Sequence, residues 1–342
     1  MIMRCGLCGT DAVLVHKGLT GYQAPARFDV YDCRGCGSQF SWPMAPAEAL
    51  YENIYRNIRN VPGYSRYLLY SENIKKAASP LDYLADKEES YWATAAYLRG
   101  LKKEGGRRIS VLDVGSGMGY LTYALHSDGF AVKGLDVSEK AVKLAEASFG
   151  GLFTCSTLEA LVESGPTFDV LVLNQMIEHA ADPAPLLQSA VKLLAPGGKI
   201  LITTPNRSFS PEGAVWETDL PPVHRWWFSE KSFEYAAGVL DCEVEFFDFS
   251  SFYASHYVRV SRAMIPGLNA KRSFLDAAGE PVPGVFTRPR DWWLERISEK
   301  LGFAGGYRAA RDLLSGEARF SGARGPVCCA ILSRRKAAQP VT

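Results

Sequence analysis

The 342-residue chain has no charge surplus of either sign, with 38 lysines and arginines against 37 acids. It lacks the broad basic field that draws proteins onto nucleic acid regardless of sequence. It also has no apolar run approaching the about 18 residues that a membrane helix needs. The N-terminus, Met1-Ile2-Met3-Arg4-Cys5, has no apolar core of signal-peptide length. These absences predict a cytoplasmic protein with no membrane partner. Disulfides are not expected there either, so the eight cysteines point to a metal or to plain packing.

A hydrophobic content of 47% is ordinary for a globular protein, and the length suits one full α/β domain plus additions. The organising stretch is Val111–Leu121, V-L-D-V-G-S-G-M-G-Y-L. Val111-Leu112-Asp113-Val114 is a short apolar run suited to a strand buried on both faces of a parallel sheet. Gly115, Ser116, Gly117, Met118 and Gly119 then form a close turn, and a helix is predicted to open near Tyr120. Glycines there let the backbone approach a ligand, and a helix N-terminus adds free N–H donors. The dinucleotide fingerprint Gly-x-Gly-x-x-Gly would need glycine where Tyr120 stands, so the dehydrogenase reading fails. The pattern present is Asp113-x-Gly115-x-Gly117-x-Gly119. A second strand, Ala131–Asp136, also ends in an acid, 17 residues after Gly119. A carboxylate at such a strand end can accept both hydroxyls of a ribose. The bland alternative is that Asp136 caps the helix starting near Ser138.

Residues 1–42 read as a separate unit. Cys5-Gly6-Leu7-Cys8-Gly9 and Cys33-Arg34-Gly35-Cys36-Gly37 are two Cys-x-x-Cys-Gly knuckles, with 24 residues between Cys8 and Cys33. A tight turn aims two thiolates at one ion, and two knuckles complete a closed tetrahedral site. The expectation is a zinc ribbon with a structural zinc on Cys5, Cys8, Cys33 and Cys36. Cys155, Cys242, Cys328 and Cys329 lie in apolar runs and are expected in the core.

Residues 43–104 turn helical over Ala47–Arg59 and Leu81–Lys103, predicting a helical cap or linker. Tyrosines crowd this region. Either Tyr64 or Tyr67 reaches a ligand beneath the cap, or the rings pack the helices on the sheet. The core, 105–249, continues with a helix at Tyr120–Ser127, the strand ending at Asp136, a helix at Ser138–Ser148 and a brief strand at Phe153-Thr154-Cys155. Phe168–Leu173 is the central strand, and Lys199–Thr203 the fifth. An insert at 250–324 carries Trp292 and Trp293 and reads as an acceptor lid or a dimer surface. Residues 325–342 supply a last strand, expected antiparallel, and a tail.

Asp113-x-Gly115-x-Gly117-x-Gly119 resembles motif I of the class I S-adenosylmethionine (SAM)-dependent methyltransferases. The succession F-D-V-L-V-L, I-E-H-A-A-D-P, L-L-A-P-G-G-K-I-L-I-T-T-P-N and P-P-V-H-R-W-W-F-S is similar to their ubiquinone-biosynthesis-type branch over roughly residues 105–250. The resemblance implies an α/β fold, a Rossmann-like seven-stranded sheet with the ribbon and helical cap added, and SAM as cofactor. It implies that Asp113 contacts the amino-acid end of SAM and that Gly115, Ser116, Gly117, Gly119 and Tyr120 pass beneath methionine and ribose. Asp136 and Val137 would hold the ribose, and Ser156 and Thr157 would flank the adenine, where an aspartate is often found. Asn174 and Gln175 close the set at the end of the fourth strand.

Methyl transfer is an in-line displacement governed by positioning, and a base is needed only for an acceptor of high pKa. Candidates at the strand ends are Asn174, Gln175, Glu178, His179, Asn206 and His224. In related sequences the Glu178-His179 pair is largely structural, bonding nearby backbone. His224 sits in a proline-fixed loop beside Arg225, Trp226 and Trp227, and an imidazole of near-neutral pKa could take a proton from an acceptor hydroxyl. The leading reading is methyl transfer to oxygen or carbon of a small acceptor such as a sugar, a glycan precursor or a secondary metabolite. One competitor is RNA methylation through the ribbon. Against it, residues 1–42 hold four basic residues (Arg4, Lys17, Arg27, Arg34) and three acids (Asp11, Asp29, Asp32), no phosphate-binding excess. The other competitor is a SAM-binding interaction protein without catalysis.

Overall fold

The computed structural model describes residues 3–209 except 45, 46, 62 and 106, then 215, 219–256, 259–260, 272–284, 318–319 and 322–335, with isolated positions 294, 297, 301, 306 and 310. Trp292, Trp293, most of the insert and the tail beyond Arg335 lie outside the described residues.

The chain opens on strands β1 (Met3–Arg4), β2 (Asp11–Thr20), β3 (Arg27–Asp32) and β4 (Gln39–Trp42), paired antiparallel in that order. Helices α1 (Glu48–Arg56), α2 (Ser65–Asn73), α3 (Pro80–Ala85) and α4 (Glu89–Gly105) follow. The stretch expected as one helix over Leu81–Lys103 is broken between α3 and α4. Glu88 turns inward at the break, accepting from the Tyr70 hydroxyl at 2.9 Å and pairing with Arg66 at 3.1 Å.

Strands and helices then alternate: β5 (Ser110–Val114), α5 (Tyr120–Ser127), β6 (Ala131–Asp136), α6 (Glu139–Phe149), β7 (Phe153–Cys155), α7 (Leu158–Glu163), β8 (Phe168–Asn174), α8 (Pro183–Lys192) and β9 (Leu194–Pro205). After β10 (Trp226–Trp227) come α9 (Glu230–Val239), β11 (Cys242–Phe246), α10 (Ser250–Ser255), the pair β12 (Arg259–Val260) and β13 (Ala318–Arg319), and β14 (Val327–Arg334). Helix starts obey local chemistry. Ser138 caps α6 by accepting from Ala141 N–H, and Asp182 caps α8, where Pro183 needs no N–H partner.

The main sheet has seven strands in the order β11-β14-β9-β8-β5-β6-β7. Neighbours from β9 to β7 pair parallel, whereas β14 runs antiparallel to both β9 and β11. The alternation of side chains splits the core in two. Val111, Val170, Val172, Leu201, Cys329 and Ile331 face one layer with α3, α4 and α5. Leu112, Leu171, Leu173, Ile200, Ile202 and Ala330 face the other with α8 and α9. Period-two burial on both faces explains why these strands read as continuous apolar runs. Cys242, Cys328 and Cys329 are buried as expected, but Cys155 is exposed, since β7 is the edge strand.

The chain leaves β5 toward β6 and β7, then returns to its other side with β8 and β9. A sheet that reverses direction this way leaves a crevice beyond its carboxyl strand ends. The ribbon docks there through β10, which pairs antiparallel with β4 (Trp226 opposite Phe40, Trp227 opposite Gln39).

Candidate active site

The crevice is a cleft of about 1220 Å³. Single-ligand pockets span about 300–1,000 Å³, so this one has room for two molecules side by side. One end is the glycine turn. Gly115, Gly117 and Gly119 all have positive φ (75°, 50° and 79°), which L side chains adopt only under strain. A Cβ on Gly115 would strike the Met176 side chain, and one on Gly119 would lie 2.5 Å from the Phe153 ring. Ser116, Gly117 and Tyr120 line the cleft, but Gly119 does not, so its requirement comes from packing against β7 rather than from a ligand.

Asp113 is buried at the end of β5, accepting from the Thr122 hydroxyl at 2.6 Å. Burial pushes its carboxyl up to about 7, with the Thr122 hydrogen bond opposing. Asp136 behaves differently. One carboxylate oxygen accepts from Gly117 N–H and the other from Ser138 N–H, both at 2.8 Å. Asp136 thus ties the loops after β5 and β6 together and is not the α6 cap, a job Ser138 performs. Val137, 74% exposed, and Ser156 and Thr157 line the same wall; Thr157 is also the cap of α7, accepting from Ala160 N–H.

Asn174 and Gln175 close the cradle. Asn174 accepts from the Thr203 hydroxyl at 2.9 Å. Gln175 has φ +52°, unusual for a residue with a side chain, while its N–H is held by Thr203. Two buried polar atoms of this wall have no partner among the described residues, the Ser116 hydroxyl and the Gln175 amide nitrogen. Buried groups are seldom left so, and both fit the hydroxyls and carboxylate of an amino-acid nucleoside such as SAM.

The tyrosines of the cap roof the cleft. Tyr51, Tyr55, Tyr64, Tyr67 and Tyr91 line it, so both tyrosines singled out in the sequence reach the site. Tyr91 and Tyr120 share a hydrogen bond at 2.7 Å, and Tyr64 and Tyr67 meet edge to face. Electron-rich ring faces stabilise a cation such as a sulfonium. Arg66, which lines the cleft, and Thr122, which holds Asp113, carry no local signal in the sequence. The density of tyrosine before the glycine turn was the one available signal.

At the far end stand Glu178, His179 and His224. The two imidazoles meet edge to face at 4.8 Å, and one nitrogen or oxygen of each of the three residues lies within 4.8 Å of the others. His179 Nδ1–H donates to the Val223 carbonyl at 2.6 Å, as the backbone-bonding reading of this residue requires. Glu178 accepts from the Thr204 hydroxyl at 2.9 Å, and burial pushes its carboxyl up to about 8. His224 departs from its expected near-neutral pKa. Burial, with the nearby Arg66 charge adding to it, pulls its imidazole down to about 3, and burial does the same to His179. Asn206 does not line the cleft. Its amide donates to Glu230 at 2.9 Å and to the Gly325 carbonyl at 3.0 Å.

The ribbon cysteines converge. Cys5 and Cys36 sulfurs are 3.7 Å apart, Cys8 and Cys33 3.3 Å, and all four are free thiols within reach of one ion. The Cys36 hydrogen bond pulls the Cys5 thiol down to about 5 against the effect of burial. Gly9 and Gly37, with φ +71° and +72°, supply the knuckle turns.

Residues 81–245 match a family model described as a methyltransferase domain. The ubiquinone biosynthesis O-methyltransferase of Parvibaculum lavamentivorans is 39% identical over 105 residues, 29% of this chain and 42% of that protein. Its counterpart in Coxiella burnetii is 28% identical over 158 residues, 41% of this chain and 67% of that protein. The chain therefore spans about two fifths to two thirds of the length of these curated relatives. Among solved structures, a SAM-dependent methyltransferase from Archaeoglobus fulgidus has a TM-score of 0.42 at 18% identity, covering 78% of this chain and 98% of that one. Among the described residues no helix is long and apolar enough to cross a membrane.

Proposed function

Residues 81–245 being a class I SAM-dependent methyltransferase domain, we propose that the chain transfers the methyl group of SAM to oxygen or carbon of a small acceptor. The observation that carries this reading is one continuous cleft running from Asp113, the glycine turn and Asp136 to His179 and His224. When bound, SAM supplies an electrophilic methyl on a positively charged sulfur. Asp113 and Gln175 would face its amino-acid end, Asp136 its ribose, and Ser156 and Thr157 its adenine. The roofing tyrosines exclude water and face the sulfonium with ring electrons.

The acceptor would then occupy the part of the cleft beside His179 and His224. Both imidazoles are neutral at pH 7, so neither repels a cationic sulfonium. A hydroxyl becomes strongly acidic as its oxygen bonds to carbon, so even the weakly basic His224 can take its proton at that moment. A relative named for O-methylation supports an oxygen acceptor, and a sugar, a glycan precursor or a secondary metabolite fits the volume. We assign zinc to Cys5, Cys8, Cys33 and Cys36 as a closed structural ion, because four thiols leave no open position. The test is calorimetric titration with SAM and its demethylated product, followed by radiolabelled methyl transfer to a panel of phenols, sugar nucleotides and nucleic acid. Failure of both nucleosides to bind would end this reading, and transfer only to RNA would replace the acceptor class.

A further inference from the structure

We propose that Arg66 is a specificity residue of the acceptor half of the cleft and receives an oxyanion, a carboxylate or phosphoryl group, carried by the acceptor; its role rests on the methyltransferase reading. Arg66 lines the cleft from the first turn of α2, and its side chain is 52% exposed there. Gly63, Tyr64 and Tyr67 line the same corner. The helix brings nothing of its own to neutralise that corner. Its first turn holds no acid, and Tyr64 gives it no side-chain cap.

The guanidinium is held in place without being used up. Its Nε lies 3.1 Å from Glu88, and Nη2 donates to the Tyr67 hydroxyl at 2.9 Å. The guanidinium carbon stands 4.8 Å from the centre of the Tyr67 ring, a cation on an aromatic face. Glu88 is itself fixed by the Tyr70 hydroxyl at 2.9 Å and does not line the cleft. An arginine serving only to neutralise a carboxylate commonly closes on it with two parallel bonds. Arg66 instead approaches Glu88 through Nε, and its Nη1 makes no hydrogen bond among the described residues. A pre-oriented donor edge is left over, of the planar shape that matches a carboxylate or phosphate.

The charge at this end asks for the same partner. Besides tyrosines, the charged or titratable groups there are Arg66, Arg225, Asp219, Glu178, His179 and His224. Burial pushes Glu178 up to about 8 and pulls both imidazoles down to about 3, so all three are neutral at pH 7. Two guanidiniums then face one carboxylate, with Glu88 offsetting part of the excess from behind Arg66. The Arg66 charge reaches His224, whose imidazole it helps to keep neutral. Glu48 and Glu52 of α1 also line the cleft, but both are exposed and screened by water. Bound SAM would add a sulfonium, so an anionic acceptor is drawn in more strongly once the cofactor is in place.

The experiment is calorimetric titration of the full-length protein, saturated with the demethylated product of SAM, with phenyl phosphate, benzoate and the uncharged benzamide. At least one of the two anions should bind about tenfold or more tighter than benzamide, as one or two charge-assisted hydrogen bonds require. Tighter phenyl phosphate marks a phosphorylated acceptor, and tighter benzoate a carboxylic acid. Arg66→Gln should abolish the difference while leaving affinity for the demethylated product unchanged, which also reports that the variant is folded. If Arg66→Gln does not fold, Arg66→Lys decides, because it keeps the charge without the fork and should narrow the preference several-fold. Failure of the demethylated product to bind wild type would end the methyltransferase reading itself. If that product binds, three results overturn the Arg66 assignment alone: no saturable anion, benzamide as tight as both anions, or a preference unchanged in the deciding variant.

Discussion

Asp136 offers the sharpest test of the cofactor assignment, because its two oxygens are already half engaged. Each accepts one backbone N–H at 2.8 Å, from Gly117 and from Ser138. A carboxylate has about four acceptor sites, so each oxygen keeps one for a ribose hydroxyl. Hydrogen bonds to a charged group contribute about 1.5–3 kcal/mol each, so two contribute about 3–6 kcal/mol. At about 1.4 kcal/mol per factor of ten, Asp136→Ala should weaken SAM by about 10²–10⁴-fold. Asp136→Asn keeps one carbonyl acceptor and should lose about half as much on the logarithmic scale. Because Gly117 and Ser138 line the open cleft, water can replace the lost partner and the fold should survive. Calorimetry with SAM, beside a thermal melt of each variant, separates the two effects. A loss under about fivefold for Asp136→Ala, about 1 kcal/mol, would remove the ribose from this carboxylate.

The remaining expectations are quickly stated. Gly119→Ala combines a left-handed backbone, about 1–2 kcal/mol, with crowding against Phe153 and Ala145, about 1–3 kcal/mol, so urea unfolding should show a loss of about 2–5 kcal/mol. Gly165→Ala, at φ +75° with open space around it, should lose only the backbone part, and equal losses would refute the crowding. Asp113 holds its proton below about pH 7; if SAM's ammonium group favours the carboxylate, binding must expel that proton in acid. Affinity should then rise by up to about tenfold per unit as pH climbs toward 7 and level off above it, and a flat profile for wild type would refute the contact. Cys36→Ser should raise amide exchange in Arg225–Phe228 and in β3 and β4 while β5 and β6 stay protected, as read by mass spectrometry. Unchanged exchange at Trp226 and Trp227 would uncouple the ribbon from the cleft.

The sheet was legible because a buried parallel strand admits little but apolar, β-branched residues, and β7 and α5 fall at the residues their patterns predict. Boundaries slipped where a terminus is set by a distant partner. β9 begins at Leu194 rather than Lys199 because Phe168 of β8 pairs with it there. The break before Glu89 depends on Glu88 meeting Tyr70 and Arg66 of another helix, which no local pattern shows. Cys155 was misplaced because a three-residue strand does not reveal that it is an edge. The glycine turn and the strand-end carboxylates that line the cleft were legible, because their conformational and hydrogen-bonding chemistry is local. The pKa of His224 was not, since it is set by burial and by Arg66, more than 150 residues earlier in the sequence.

The ribbon's place in this architecture follows from one pairing. Trp226 and Trp227 follow His224 almost directly, and they are the fifth strand of the ribbon sheet rather than a strand of the core. The Arg225 carbonyl accepts from Ser41 N–H at 2.9 Å, and the Arg225 N–H donates to the Glu178 carbonyl at 2.8 Å. One residue thus links the ribbon to the turn that carries Glu178 and His179. Trp226 packs with Phe40 and the buried cysteines in the same apolar layer as Leu112 and Leu171. A loop of Pro221–Phe228 would otherwise be anchored only by its own contacts, and loops are where precision is hardest to hold. By adding that loop to a small sheet closed by four thiols, the chain fixes His224 relative to the strand ends without spending a core helix on it. Under the proposed reading, an ion held by the four cysteines would act on methyl transfer by holding the His224 loop in place.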